Sequence, residues 1–129
     1  MKIYTDGSCS RRQGGWSAII TISDSEEVSL FGSVEDTTNN RMELMGVIKA
    51  LQYLEERGLI EDVEIVSDSQ YVIGCATGWK RNANNDLWDI YDKTAAKQKS
   101  ISFEWVKGHA GHEYNERADK LAKNSNVDC

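Results

Sequence analysis

The hydrophobic and polar positions along the chain predict strands first and an alternation of strands and helices afterwards. Short β-branched segments, separated by glycine-rich or polar connections, predict strands at residues 2–9, about 16–23, 28–34, 63–67 and 101–106. Apolar residues at intervals of three and four predict helices at about 41–57, 69–78, 86–98 and 113–124. The segment 11–15 is expected to be a flexible connection between the first two strands.

This order of elements predicts an α/β fold built on one mixed five-stranded sheet with helices packed against it. Hairpins would make the first three strands antiparallel, and helical crossovers would make strands one, four and five parallel. A chain of 129 residues is the length of one domain with a single core, so we expect one domain over residues 1–129.

Glu43 stands out because it lies on the apolar side of the longest predicted helix, almost directly over Leu54. An isolated buried carboxylate is too costly to keep charged, so it would be protonated, paired or bound to a metal. The alternative is that the first helical turn lies at the rim of the sheet and Glu43 reaches water. The pattern of this helix alone leaves both interpretations open.

Two further acids, Asp6 and Asp68, each end a short β-branched strand. Chemistry gathers beyond the carboxyl ends of parallel strands, so Asp6, Asp68 and Glu43 are expected to converge at one rim. Taken alone, either Asp is compatible with a turn, and Asp68 with a helix N-cap. Three carboxylates together would repel one another unless a cation neutralised them.

Composition indicates the class of protein and the cellular compartment but does not decide the function. The chain has 40% hydrophobic and 28% charged residues, which is typical of a soluble globular protein. It has no long apolar run and no signal peptide, and its odd number of cysteines, three, favours a reducing compartment, so we expect the cytoplasm. The net charge of −6 argues against a nucleic-acid partner, but the local distribution of charge decides that question.

Four sequence blocks carry a family resemblance. They are YTDGSC at 4–9, TTNNRMEL at 37–44, SDSQYV at 67–72 and WVKGHAGH at 105–112, the last followed by NERAD at 115–119. In this order they closely resemble the type 1 ribonuclease H family. The resemblance implies the ribonuclease H-like fold, with strand order 3-2-1-4-5, and endonucleolytic hydrolysis of the RNA strand in RNA–DNA hybrids.

The resemblance also implies which residues act. Asp6, Glu43, Asp68 and Asp119 match the metal-binding carboxylates of the family, and His109 matches its mobile catalytic histidine. Two Mg²⁺ ions, with Mn²⁺ as an alternative, would act on the two sides of the reaction: one would generate and align the attacking water, and the other would stabilise the departing 3′ oxygen. By its own helix pattern Asp119 lies outside the apolar stripe and would be solvent-exposed. By position alone His109, which lies between Gly108 and Gly111, is a solvated loop residue, and His112 is expected to be a solvated loop residue without a role in the motif.

The matched substrate contacts are five. Asn39 and Gln70 correspond to positions that contact the minor groove, Thr38 and Asn84 to a pocket for a DNA-strand phosphate, and Trp79 to an aromatic that packs on deoxyribose. Their structural alternatives are a Thr-Asn pair at a helix start and a core tryptophan. The implied partner is an RNA–DNA hybrid, with no membrane and no obligatory protein partner, and the chain is expected to be a monomer.

The sequence departs from the family pattern in three places. Only residues 80–85 bridge Trp79 to the Asp-Leu-Trp helix, so the basic helical protrusion of many members is missing. The loop after Cys9 is short and lacks prolines, and an Arg that supports the phosphate pocket in many relatives is replaced near Thr21. These departures concern affinity for substrate and leave the catalytic set intact.

The sequence is also compatible with two functions other than that of a free-standing enzyme. The chain could be the ribonuclease H domain of a reverse transcriptase, although a start at Met1 favours a free-standing protein. It could also be a non-catalytic module that binds hybrids. The complete set of four acids and His109 speaks against the module, because a binding protein gains nothing from clustered negative charge that faces phosphate.

Overall fold

A computed structural model describes residues 1–107 and 113–125. The strands are β1 (Lys2–Ser10), β2 (Gln13–Ser23), β3 (Glu26–Glu35), β4 (Asp62–Ser67) and β5 (Ser100–Trp105). The helices are α1 (Asn39–Glu56), α2 (Gln70–Thr77), α3 (Asn85–Ala95) and α4 (Glu113–Ser125). Every predicted element is present, with most boundaries within two residues of the prediction.

The five strands form one sheet in the order β3-β2-β1-β4-β5. Pairs β1–β2 and β2–β3 are antiparallel, whereas β1–β4 and β4–β5 are parallel. The predicted mixed sheet and its strand order are therefore confirmed. Alternate residues of the central strands serve two cores: Ile3, Ile20 and Ile65 pack with α1, α2 and α3, and Tyr4, Ile19 and Val66 pack with Ala118 of α4.

Two details differ from the prediction. The segment 11–15 is not a flexible connection, because β2 begins at Gln13 and only Arg11 and Arg12 form the turn. Gly14 is part of the strand, where an added Cβ would lie 2.4 Å from the Thr37 side chain. The helix expected to reach residue 98 ends at Ala95, and Gln98 instead accepts a hydrogen bond from the Glu61 N–H at 2.9 Å.

The register of the parallel strands determines where the acids lie. Tyr4 pairs with Val66 as the last described pair of β1 and β4. Asp6 and Asp68 therefore follow two residues later on neighbouring strands, at the same end of the sheet. β1 continues beyond this point along β2 as far as Ser10. The carboxyl end of β4 thus forms a step in the sheet, and the acids lie at that step.

Candidate active site

Gly7 allows α1 to cross β1 closely enough to place Glu43 beside Asp6. A Cβ at Gly7 would lie 2.3 Å from the backbone of Met42 and Glu43, so no larger residue fits without a shift. The Gly7 N–H donates to Asp6 Oδ1 at 2.9 Å and to Glu43 Oε1 at 2.8 Å. One backbone donor therefore orients both carboxylates. Sequence reasoning did not single out Gly7, although its place directly after Asp6 was a signal.

Asp68 completes a compact cluster of three acids. Oxygens of Asp6, Glu43 and Asp68 lie within 4.8 Å of one another. Asp6 is 2% exposed and Glu43 is 9% exposed, so Glu43 is buried at the rim and does not reach into water. Asp68 is not a helix cap, because Ser69 caps α2 by accepting a hydrogen bond from the Val72 N–H at 3.1 Å. The predicted convergence of the three acids is confirmed.

Burial and mutual repulsion make this cluster reluctant to ionise fully. Burial raises the pKa of Asp6, and the adjacent Glu43, Asp68 and Asp119 raise it further. Burial also raises the pKa of Glu43, with a contribution from Asp68, although hydrogen bonds with Asp6 and Gly7 act in the opposite direction. Without a cation, the cluster therefore retains a proton in the neutral pH range.

The donor set suits a hard divalent cation. Asp6 Oδ2 and Glu43 Oε2 are buried and have no hydrogen-bond partner in the described part of the chain. Buried carboxylate oxygens without partners are costly, and a cation in contact with them would remove both the desolvation cost and the repulsion. Mg²⁺ prefers oxygen ligands, which is what Asp6, Glu43 and Asp68 offer.

Asp119 lies at the edge of this cluster. α4 is held against the sheet by the buried Ala118, whose carbonyl accepts a hydrogen bond from the Ser17 hydroxyl at 2.5 Å. Tyr114 of the same helix stacks on Tyr4, with ring centroids 4.4 Å apart. The Asp119 side chain is 22% exposed and pairs with Lys123 at 3.0 Å. It is close enough to raise the pKa of Asp6, so the exposed position suggested by its helix pattern is wrong.

The residues expected to contact substrate are exposed or partly exposed. Thr38 caps α1 by accepting a hydrogen bond from the Arg41 N–H at 3.2 Å, and Asn39 follows it, exposed. Gln70 is exposed at the start of α2. Trp79 is 60% exposed, so the alternative of a core tryptophan is wrong. Asn84 has a left-handed backbone and precedes α3.

The family comparison decides the class of protein. The family model described as RNase H matches residues 1–126. This chain belongs to the ribonuclease H family. The family and the enzyme class implied by the sequence blocks are thereby confirmed.

Individual relatives agree with the family match. The chain is 45% identical to a ribonuclease H of Bradyrhizobium sp. (strain ORS 278), over 95% of this chain and 87% of that protein. It is 44% identical to a ribonuclease H of Hahella chejuensis, over 95% of this chain and 90% of that protein. The crystal structure of RNase H1 from Halobacterium salinarum superposes with a TM-score of 0.81 at 26% identity, covering 99% of this chain and 98% of that one.

Arg41 is a part of this ribonuclease H site that sequence reasoning missed. Its guanidinium donates to Asn84 Oδ1 at 3.2 Å and pairs with Asp86 through both terminal nitrogens, at 3.0 and 2.8 Å. The Asn84 amide in turn donates to the Tyr71 hydroxyl at 2.9 Å. Arg41 therefore links the start of α1, where Thr38 lies, to the start of α3. Its position two residues before Glu43 was the available signal.

Trp105 was also missed. It is 48% exposed, and its indole N–H donates to the Asp68 carbonyl at 3.2 Å. With Gln70 and Trp79 it lines a groove of about 240 Å³. Its aromatic side chain at the end of a predicted strand was read only as part of a sequence block.

One prediction concerns a part of the ribonuclease H chain that the structure does not describe. His109 and His112 lie outside the described residues, so the catalytic role of His109 stays a prediction. Within residues 1–107 and 113–125, no helix is both long enough and apolar enough to cross a bilayer.

Proposed function

We propose that this chain hydrolyses the RNA strand of RNA–DNA hybrids with two divalent cations, Mg²⁺ in the first instance, held by Asp6, Glu43, Asp68 and Asp119. The observation that carries the proposal is the convergence of three carboxylates within 4.8 Å in a chain of the ribonuclease H family. Relatives with 44–45% identity that carry the name ribonuclease H support the same activity.

The acids would hold the cations that act on the phosphodiester. When bound, the two cations would activate a water molecule and stabilise the departing 3′ oxygen. Asp6 and Glu43 are held by the Gly7 N–H, so their free oxygens keep a fixed direction toward the site. Their proton is released as a cation is taken up, because the charged form then has an opposite charge beside it. His109 would move a proton or assist the release of product.

The surrounding residues would recognise the hybrid. A hybrid has 2′-hydroxyls on its RNA strand only, exposed in a wide and shallow minor groove. The amides of Asn39 and Gln70 can donate and accept hydrogen bonds there. Thr38 and Asn84 would hold a DNA-strand phosphate, and the exposed Trp79 would pack on deoxyribose. We further propose that the chain acts as a monomer in the cytoplasm, without an obligatory protein partner.

Gel analysis of labelled RNA–DNA hybrid, RNA duplex and DNA duplex tests the substrate. We expect cleavage of the RNA strand of the hybrid with Mg²⁺ or Mn²⁺ and none with EDTA. Hydrolysis of all three duplexes alike, or activity that persists in EDTA, would contradict the proposal.

Asp68→Asn tests the metal-binding assignment. The change keeps the size of the side chain and removes its charge, so the fold should persist while kcat falls by about 10³-fold or more. Loss of even one neutral donor from a charge-stabilising site costs roughly 10²–10³-fold. The matched control is Asp89→Asn, which removes an exposed carboxylate on α3 and should leave kcat unchanged. Near-normal activity of Asp68→Asn and of Asp6→Asn would refute the two-cation site.

A further inference from the structure

The turn between β1 and β2 has an unfavourable sequence for its shape. Ser10 pairs with Gln13, so Arg11 and Arg12 are the two central residues of a two-residue hairpin turn. Their φ values are 51° and 67°, as in a type I′ turn. Such turns favour Asn, Asp and Gly, because a side chain with a Cβ is strained at positive φ. Two arginines therefore weaken the turn, and the turn itself gives no reason for them.

The turn is fixed to the segment that leads into α1. The Thr37 N–H donates to the Arg12 carbonyl at 3.0 Å, which ties the turn to the residue before Thr38. The Arg12 side chain pairs with Asp36 at 2.5 Å. From Asp6 to Arg11 the chain advances five residues along an extended strand, or about 17 Å at roughly 3.4 Å per residue. The turn thus projects past the acids, on the side where α1 begins.

Arg11 is unlike the other arginines. Of the six arginines in the chain, Arg12, Arg41, Arg81 and Arg117 form ion pairs, and Arg57 lies over the Tyr53 ring. Arg11 is exposed and has no ion-pair or ring partner among residues 1–107 and 113–125. In a chain of net charge −6, this is an uncompensated guanidinium at the end of the strand that carries Asp6.

We propose that the Arg11–Arg12 turn is a phosphate-binding element that contacts the hybrid away from the scissile phosphate. The inference rests on the proposed function and names a further contact for the same substrate. Arginine suits this role because its planar guanidinium binds phosphate oxygens bidentately. Duplex DNA rises about 3.4 Å per charge on each strand, so ~17 Å corresponds to roughly five base pairs. Arg11 makes the contact, and Arg12, held by Asp36, positions the turn.

The double variant Arg11→Asn with Arg12→Gly separates binding from folding. It installs the residues that a type I′ turn prefers, so the melting temperature should rise. It also removes two cations, so KM for the hybrid should increase about three- to tenfold with kcat unchanged. The dependence of log affinity on log salt should become shallower by about one for each phosphate contact that is lost. Fluorescence anisotropy of labelled hybrid in EDTA measures that dependence without catalysis.

Two controls sharpen the test. Arg11→Lys keeps the charge and the strained backbone, so its salt dependence should match the unmodified chain. Lys97→Gln removes an exposed cation that lies between α3 and β5, and its affinity should also be unchanged. If the double variant binds the hybrid as Lys97→Gln does, the proposed contact is refuted even when the enzyme is active. If the double variant loses salt-dependent binding, the contact is supported even when no cleavage of hybrids is detected.

Discussion

At the scale of single residues, Asp6 links catalysis to stability. Its carboxyl is buried beside Glu43, and its pKa in the folded chain is raised above the ordinary value of about 3.9. A group with a raised pKa stabilises the fold fully below its unfolded pKa, and this contribution is lost as pH rises through the folded pKa. The metal-free protein should therefore lose stability as the pH rises from about 5 to 8.

Asp6→Asn removes the ionisable carboxyl whose charge is unfavourable in the fold, so it should stabilise the metal-free protein. One pKa unit is about 1.4 kcal/mol, enough to raise Tm by roughly 4 °C in a domain of this size. The Tm difference from the unmodified chain should widen from pH 5 to pH 8 in EDTA. Adding Mg²⁺ should raise the Tm of the unmodified chain and narrow the gap. A gap that is constant with pH and insensitive to Mg²⁺ would show that Asp6 does not titrate in the fold.

His109 offers a second residue-scale prediction. If it moves a proton or assists product release without holding metal, His109→Ala should lower kcat by about 10²-fold or less, at the lower end of the contribution of one acid–base group. Steady-state kinetics with hybrid measure the effect, and His112→Ala is the matched control in the same segment, with no expected loss. A loss as complete as that of Asp68→Asn would instead make His109 part of the metal-binding set.

At the scale of elements, close approaches at glycine place the functional side chains. Gly7 brings α1 onto β1, and Gly74 of α2 lies under the indole of Trp79, where an added Cβ would be 2.2 Å from the ring. The backbone N–H of Trp79 donates to the Gly74 carbonyl at 2.8 Å, and this hydrogen bond holds Trp79 against the end of α2. The exposed position of Trp79 therefore depends on the absence of a side chain at residue 74.

Gly74→Ala should separate helix stability from substrate binding. Alanine is favoured over glycine within a helix by about 1 kcal/mol, which offsets part of the cost of the clash. The displaced indole should raise KM for the hybrid several-fold with little change in kcat. In the Trp79→Ala background, Gly74→Ala should not raise KM for the hybrid further, because the indole that it displaces is absent. Additive effects of the two changes in kinetic assays would show that Gly74 acts by another route.

At the scale of the whole molecule, charge limits binding. The net charge is −6, and residues 78–84, which connect α2 to α3, contain no helix. Within residues 1–107 and 113–125 few cations lie near the site, and several of them are paired, as Arg41 is with Asp86 and Arg81 is with Asp92. Each phosphate that a protein neutralises adds to the salt dependence of binding. Hybrid binding by this chain should therefore be weak, with a shallow dependence on salt.

A graft tests this account. Insertion of a Lys-rich helix between Arg81 and Asp86 should tighten hybrid binding and steepen its salt dependence, with kcat little changed. An insert of the same length rich in Gln is the control for the change in the connection. Nanomolar affinity with a steep salt dependence in the unmodified chain would mean that a larger basic surface than the Arg11–Arg12 turn binds the hybrid.

The sequence alone determined which segments form helices and strands and how the strands pair in the sheet. It also identified three acids of the site, one within a strand, one directly after a strand and one on a helix. Period-two and helical patterns are local consequences of burying one face, so they can be read along the chain. The convergence of Asp6 and Asp68 followed from parallel strands whose carboxyl ends meet at one edge. Glu43 could be singled out because a carboxylate on an apolar helix face is costly to bury unless it is protonated, paired or bound to a metal.

Only the tertiary structure decided what depends on distances between segments that are remote in sequence. The position of Asp119 at the edge of the cluster depends on the hydrogen bond that holds Ala118 to Ser17, more than 100 residues away along the chain, and not on its own helix pattern. The segment 11–15 was expected to be a flexible connection, but Gln13, Gly14 and Gly15 pair with β1 and leave only Arg11 and Arg12 in the turn. The roles of Gly7 and Gly74 depend on which backbone or ring approaches each of them, and local sequence does not contain that information.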